Sequence, residues 1–145
     1  MDRPDPTCLF CRIIGGEIPA AKVLETDHAV AFLDIHPVNL GHVLLVPKAH
    51  HATLADLDST SAASAATLLP RLCRAIQAVS GADGLNVVIN NGRVAGQTID
   101  HGHWHLIPRF EGDAIRWPWP QQAYPDQELG RMQAGISQAF ASDAG

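Results

Sequence analysis

His101-Gly102-His103-Trp104-His105-Leu106-Ile107-Pro108 is the stretch on which the reading of this chain turns. Its histidines recur at every second position, and on a strand a period of two sends alternate side chains to one face. The spacing therefore predicts a strand over Gly102 to Pro108 that presents three imidazoles in one stripe. Imidazole is neutral near pH 7, nucleophilic, and able to exchange proton roles with its neighbours, which suits attack on phosphorus. A histidine-rich metal tract is the competing reading.

Just upstream, Asn90-Asn91-Gly92-Arg93-Val94-Ala95-Gly96-Gln97-Thr98 supplies two glycines, amide side chains and a hydroxyl. Such a loop can aim N–H groups at phosphate oxygens, although a glycine-bearing hairpin loop between two strands is the commoner explanation. Arg93 reads as a phosphate contact or, the favoured reading, a solvated charge. Further strands are predicted at Lys22 to Glu25, Ala29 to Leu33, Val43 to Pro47 and Asn86 to Asn91. The short turn Thr26-Asp27-His28 and the Pro37-, Asn39- and Gly41-bearing turn favour antiparallel neighbours. Ser59 to Val79 lacks strand alternation and ends at Ser80-Gly81, so it predicts the main helix, with a kink or break at Pro70. Leu9 to Ile14 predicts a short N-terminal helix stopped by Gly15-Gly16, and Asp126 to Phe140 a C-terminal one. Arg116 to Pro125, with three prolines and two tryptophans, predicts an extended segment outside the sheet. The fold class is α+β, with a five-stranded antiparallel sheet.

The 145 residues fit one domain, with a core over about 8–109 and an extension over 110–145. Apolar residues make up 46% and charged residues 17%, which excludes the composition of disordered chains. With a net charge of −5 and scattered Lys and Arg, no surface tracks a nucleic-acid backbone. No apolar run approaches the ~20 residues that span a membrane, and the N-terminal residues lack the basic start of a secretion signal, so the expected compartment is the cytoplasm. Cys8 and Cys11 are spaced too tightly for an ordinary structural disulfide but as metal ligands often are, and Cys73 reads as a core thiol. A closed tetrahedral site needs two further ligands, for which His42, His50, His51 and His101 are the candidates. His28, His36, His42 and His51 otherwise read as surface or turn residues, His42 being the one expected to be partly buried.

In order along the chain, Cys8-Leu9-Phe10-Cys11-Arg12-Ile13-Ile14, Ile18-Pro19-Ala20, Ala31-Phe32-Leu33-Asp34-Ile35, Gly41-His42-Val43-Leu44-Leu45-Val46-Pro47-Lys48-Ala49-His50, Asn90, Ala95-Gly96-Gln97 and His101 to Arg109 resemble the histidine-triad family in its Hint-like bacterial branch. The resemblance implies a purine nucleoside phosphoramidase or related nucleotidyl hydrolase. His103 would attack the α-phosphorus and form a nucleotidyl-histidine intermediate that water cleaves. His105 would touch phosphate oxygens or the leaving group, with His101 completing the triad. Gln97 and Thr98 would bind phosphate, Asn90 would sit in the nucleotide site, Asp34 would accept from ribose hydroxyls, and Phe32 and Ile35 would pack near the base. Asp34 also has a plain reading as a turn former. A dinucleoside polyphosphate hydrolase and a weakly catalytic nucleotide-binding interaction protein stand as alternatives.

In zinc-bearing members of that family the partners of the cysteine pair match His50 and His101, so the implied structural zinc site is Cys8, Cys11, His50 and His101. The family's usual homodimer joins two sheets across an interface that contains the main helix. Trp117 is similar to an aromatic near the site of Hint-like proteins, yet a tryptophan in a proline-rich tail reads as packing. The chain departs from the family at Gly102, where an apolar residue is usual. A glycine there weakens a strand or admits a close backbone approach.

Overall fold

The computed structural model describes residues 4–116 and 118–144; Trp117 lies outside them. In chain order the elements are α1 (Leu9–Ile14), β1 (Lys22–Glu25), β2 (Ala29–Leu33), β3 (Val43–Pro47), α2 (Ser59–Ala66), α3 (Leu69–Ser80), β4 (Gly84–Ile89), β5 (Trp104–Arg109) and α4 (Glu128–Ser142). The strands form one five-stranded sheet in the order β1-β2-β3-β5-β4, every neighbouring pair antiparallel. The fold class read from the sequence is the one observed.

Several boundaries differ from the sequence reading. The fourth strand is Gly84–Ile89, not Asn86 to Asn91, and the histidine strand starts at Trp104 rather than Gly102. His101 and His103 therefore precede the strand, and only His105 lies within it. The main helix is two helices: α2 ends at Ala66, and α3 begins at Leu69 with Pro70 in its first turn. A proline there removes a donor that has no intrahelical acceptor, so the break falls where its cost is least. Asp58 caps α2 by accepting from the Ser61 N–H at 2.9 Å. Gly81, at φ 69°, closes α3 in the left-handed conformation. The C-terminal helix begins two residues later than expected, at Glu128.

Strands β2 and β3 are buried at every position. Both faces of the sheet centre are covered, which is why these strands read as continuous apolar runs rather than strict alternation. One face carries Ala31, Leu45, Trp104 and Leu106 against Leu72, Ile76, Met132 and Ile136 of α3 and α4. The other carries Val30, Phe32, Leu44 and Val46 against Phe10, Cys11 and Ile13 of α1. The thin α1 side leaves room for a cavity. Among the described residues no helix is long and apolar enough to cross a membrane.

Candidate active site and metal centre

A cavity of about 370 Å³ opens on the α1 side of the sheet. Its lining is largely apolar, with Leu9, Phe10, Ile13, Phe32 and Leu44 among it, and Asp34, Thr98, His103 and His105 are among its polar groups. Of the residues singled out from sequence, Phe32, Asp34, Ile35, Thr98, His103 and His105 line this cavity. Asn90 and Gln97 are buried and are not part of its wall. The Gln97 amide donates to the carbonyls of Ala52 (2.6 Å) and Ile99 (2.9 Å), while its oxygen accepts from Gly92 N–H at 2.7 Å. Both amide hydrogens are thus committed to holding the loop shut, and what that loop offers to the cavity is Thr98. Arg93 is exposed, as expected of a solvated charge.

The hydrogen bonds assign the imidazole tautomers. His103 Nδ1 lies 2.6 Å from the His101 carbonyl, which can only accept, so Nδ1 carries the proton and Nε2 an open lone pair. Phe10 packs edge-to-face on this ring, with centroids 4.9 Å apart at 89°. Burial lowers the His103 pKa below the ordinary imidazole value, opposed by the bond to His101, so the lone pair stays available.

His42 is the residue that the sequence reading missed. Instead of a surface or partly buried side chain, it is 1% exposed. Its Nδ1 accepts from Val38 N–H at 3.1 Å, so its proton sits on Nε2, which points at His105 Nδ1 at 3.0 Å. His105 then accepts at Nδ1 and carries its own proton on Nε2. Burial, then the nearby His103, pushes His105 down to about 3, and burial with both other imidazoles takes His42 to about 3. Both rings are therefore neutral at physiological pH. Asp34 does what a turn former does, accepting His36 N–H at 2.9 Å, and also lines the cavity; burial raises its carboxyl above the ordinary value. His28 and His36 are exposed, as expected, with His36 on the cavity rim.

The tail after β5 also reaches the site. Gln122 N–H donates to the Pro37 carbonyl (2.9 Å), its side chain to the Val38 carbonyl (2.7 Å), and the Tyr124 hydroxyl accepts from Gly41 N–H (3.0 Å). This strap over the 34–41 turn brings the Trp119 ring to 5.4 Å from His105 and Gln121 into the cavity wall. Nothing in a proline-rich stretch singles out these positions from sequence.

Behind the triad, Cys8, Cys11, His50 and His101 bring one donor atom each to within 4.8 Å of one another. His101 Nε2 donates to the Pro47 carbonyl at 2.7 Å, which leaves its Nδ1 lone pair aimed into this cluster. A tetrahedral zinc ion with its usual bond lengths spaces nitrogen and sulfur ligands by about 3.3–3.8 Å. The observed separations are 3.5 Å for Cys8 to His101, 3.3 Å for Cys11 to His50, 3.7 Å for Cys11 to His101 and 3.3 Å between the two imidazoles. The four residues fit a four-coordinate metal ion.

Gly102 sits between the two centres, and the structure explains it. Its N–H donates to the His51 carbonyl at 2.7 Å, and a Cβ at this position would stand 3.3 Å from the Thr53 carbonyl carbon and 3.5 Å from Leu54 N. The segment that follows His50 is laid directly on the triad backbone, so the apolar residue usual in the family would fit here only if the Thr53 backbone gave way. Gly102→Val is expected to destabilise the fold by about 1–3 kcal/mol through overpacking against backbone. A urea midpoint equal to that of the unmodified chain would remove the close-approach explanation.

The fold and site together define a sheet protein that holds an unprotonated imidazole nitrogen over an apolar cavity, with a thiol–imidazole cluster behind it. The family model for the HIT domain matches residues 15–112, and the chain belongs to that family. It is 41% identical over 129 residues to adenosine 5'-monophosphoramidase HNT1 of Saccharomyces cerevisiae, covering 88% of this chain and 79% of the relative. Among solved structures it is similar to a Hit-like protein involved in cell-cycle regulation from Bartonella henselae, with TM-score 0.85 and 32% identity over 93% of this chain and 97% of that one. It is also similar to a zinc-bound histidine triad family protein from Mycobacterium smegmatis, with TM-score 0.81 and 34% identity over 94% and 98% of the two chains.

Proposed function

We propose that the chain is a purine nucleoside phosphoramidase that works through a nucleotidyl-histidine intermediate. The observation that carries this reading is the His103 tautomer: Nδ1–H is held by the His101 carbonyl, and Nε2 is left unprotonated on a ring that lines the cavity. His103 Nε2 attacks the α-phosphorus and the bond to the leaving amine breaks; water then attacks the same phosphorus, releasing the nucleoside monophosphate and restoring the imidazole. His105, fixed by His42, offers Nε2–H to a phosphoryl oxygen or the leaving atom, and Thr98 adds its hydroxyl. Asp34 takes the ribose hydroxyls, and Phe32 and Ile35 take the base. Asn90 and Gln97 act one layer back, through the loop that presents Thr98. The relative named a monophosphoramidase supports the choice of substrate class. The test is hydrolysis of adenosine 5′-phosphoramidate with AMP binding measured in parallel. A protein that binds AMP without turning over this or related nucleotides is a binding protein instead.

The metal ion of the cluster is zinc, held by Cys8, Cys11, His50 and His101, and its role is structural: all four positions come from the protein, so no site is open for substrate. The zinc-bound relative and the ligand spacing support this. Protein purified without a tag or chelator is expected to contain close to one zinc per chain. A content well below half after zinc-supplemented expression contradicts it. A thiolate site of this kind suits a reducing compartment, and we place the protein in the cytoplasm.

The active form is a homodimer. Strand β4 is a sheet edge whose Val87 is 42% exposed, with Leu85 and Ile89 only partly covered, and an open apolar edge favours pairing with a second copy. Sedimentation at micromolar concentration is expected to give twice the chain mass; a clean monomer excludes the dimer.

A further inference from the structure

Helix α1 and its N-cap Cys8 face two sites at once. Cys8 and Cys11 turn their sulfurs to His50 and His101, while Leu9, Phe10 and Ile13, interleaved with them in sequence, form the wall of the cavity. Phe10 is the pivot: 3% exposed, it lies edge-on to Phe32 with centroids 5.5 Å apart and to His103 at 4.9 Å. A helix this short has no stability of its own. Among the described residues its polar ties to the sheet and the strand-flanking loops run through the two sulfurs; its other side-chain pairing, Arg12 to Glu17, is local.

We propose that α1 couples the two centres, so that metal occupancy sets the affinity of the cavity for the nucleotide, with Phe10 as the positioning residue that transmits it. The proposal rests on the nucleotide reading given above. With the ion bound, four ligands from three parts of the chain fix α1, and Leu9, Phe10 and Ile13 present a formed wall. Without it, α1 is held by apolar packing and weak thiol–imidazole contacts, and the wall must be ordered by the incoming nucleoside, which weakens binding. The nucleophile is affected less, because the bond from His103 Nδ1–H to the His101 carbonyl is internal to its own segment. The effect therefore falls on Kd and KM more than on kcat. Since coupling between two binding events is reciprocal, nucleotide must tighten zinc by the same factor.

The test titrates AMP calorimetrically into zinc-loaded and metal-stripped full-length protein, each checked by far-UV circular dichroism, and measures zinc affinity by chelator competition with and without saturating AMP. The expected result is AMP binding at least tenfold tighter in the loaded protein and a matching gain in zinc affinity, with Phe10→Leu keeping its zinc but losing most of the ratio. If stripping unfolds the chain, the competition arm alone decides. Ratios within twofold of unity overturn the coupling, and a ratio unchanged in Phe10→Leu overturns Phe10 as its carrier, while AMP binding leaves the nucleotide reading standing. Absence of AMP binding to the loaded protein overturns both.

Discussion

His103→Asn is expected to lower kcat/KM for adenosine 5′-phosphoramidate by about 10⁴-fold or more, the scale on which loss of a covalent nucleophile acts. Asparagine can keep the hydrogen bond to the His101 carbonyl through its amide nitrogen, so the loss falls on the nitrogen that attacks rather than on the local fold. Acid-quenched wild-type protein should carry a nucleotidyl adduct that the variant lacks. AMP binding should survive, because Phe32, Asp34 and Ile35, which we assign to the nucleoside, stand on a different strand and its turn. A variant that retains a tenth or more of wild-type turnover would show that water attacks directly, with His103 as a bystander. A variant that also fails to bind AMP leaves the role of the nitrogen to His103→Ala and the adduct measurement.

How much of this was legible in the sequence depends on what each residue needs from elsewhere in the chain. The strands β1, β2 and β3 were read to the residue, because short turns flank them and a local pattern suffices. The helix break was placed correctly near Pro70, since that residue acts on its own turn. The start of β5 was not, because a run of alternating histidines looks like a strand whether or not a neighbour pairs with it. Here pairing stops at Trp104, and the backbone before it carries His101 into the thiol–imidazole cluster and lays Gly102 against the His51–Leu54 segment. Asn90 and Gln97 belong to the motif, yet a motif does not say whether a side chain faces ligand or braces a loop. The burial of His42 was expected in part, but its role and that of Trp119 were not, for one reason: each gains its role from a partner, His105, that lies 63 and 14 residues away. A long-range partner gives no sign of itself in composition or period.

His42 therefore carries the second large prediction. His42→Ala is expected to lower kcat by about 10²-fold, as loss of a group that orients an active imidazole does, and to destabilise the fold by about 2–4 kcal/mol from the cavity and the orphaned Val38 N–H. His42→Gln offers an oxygen for Val38 N–H and an amide hydrogen for His105 Nδ1, so it should recover most of the rate. That recovery separates tautomer control from mere packing: if His42→Ala melts early but keeps kcat within twofold, His42 only fills space. A pH signature accompanies it. Both His42 and His105 are held well below the ordinary imidazole value by burial. The unfolded chain takes up protons on them from about pH 6.5 downward that the folded chain refuses, so stability falls as the pH drops from there toward the folded values. With glutamine at position 42 one of the imidazoles whose pKa burial lowers is gone, and that acid loss of stability should become shallower, while an unchanged slope would mean that folding does not lower the His42 pKa.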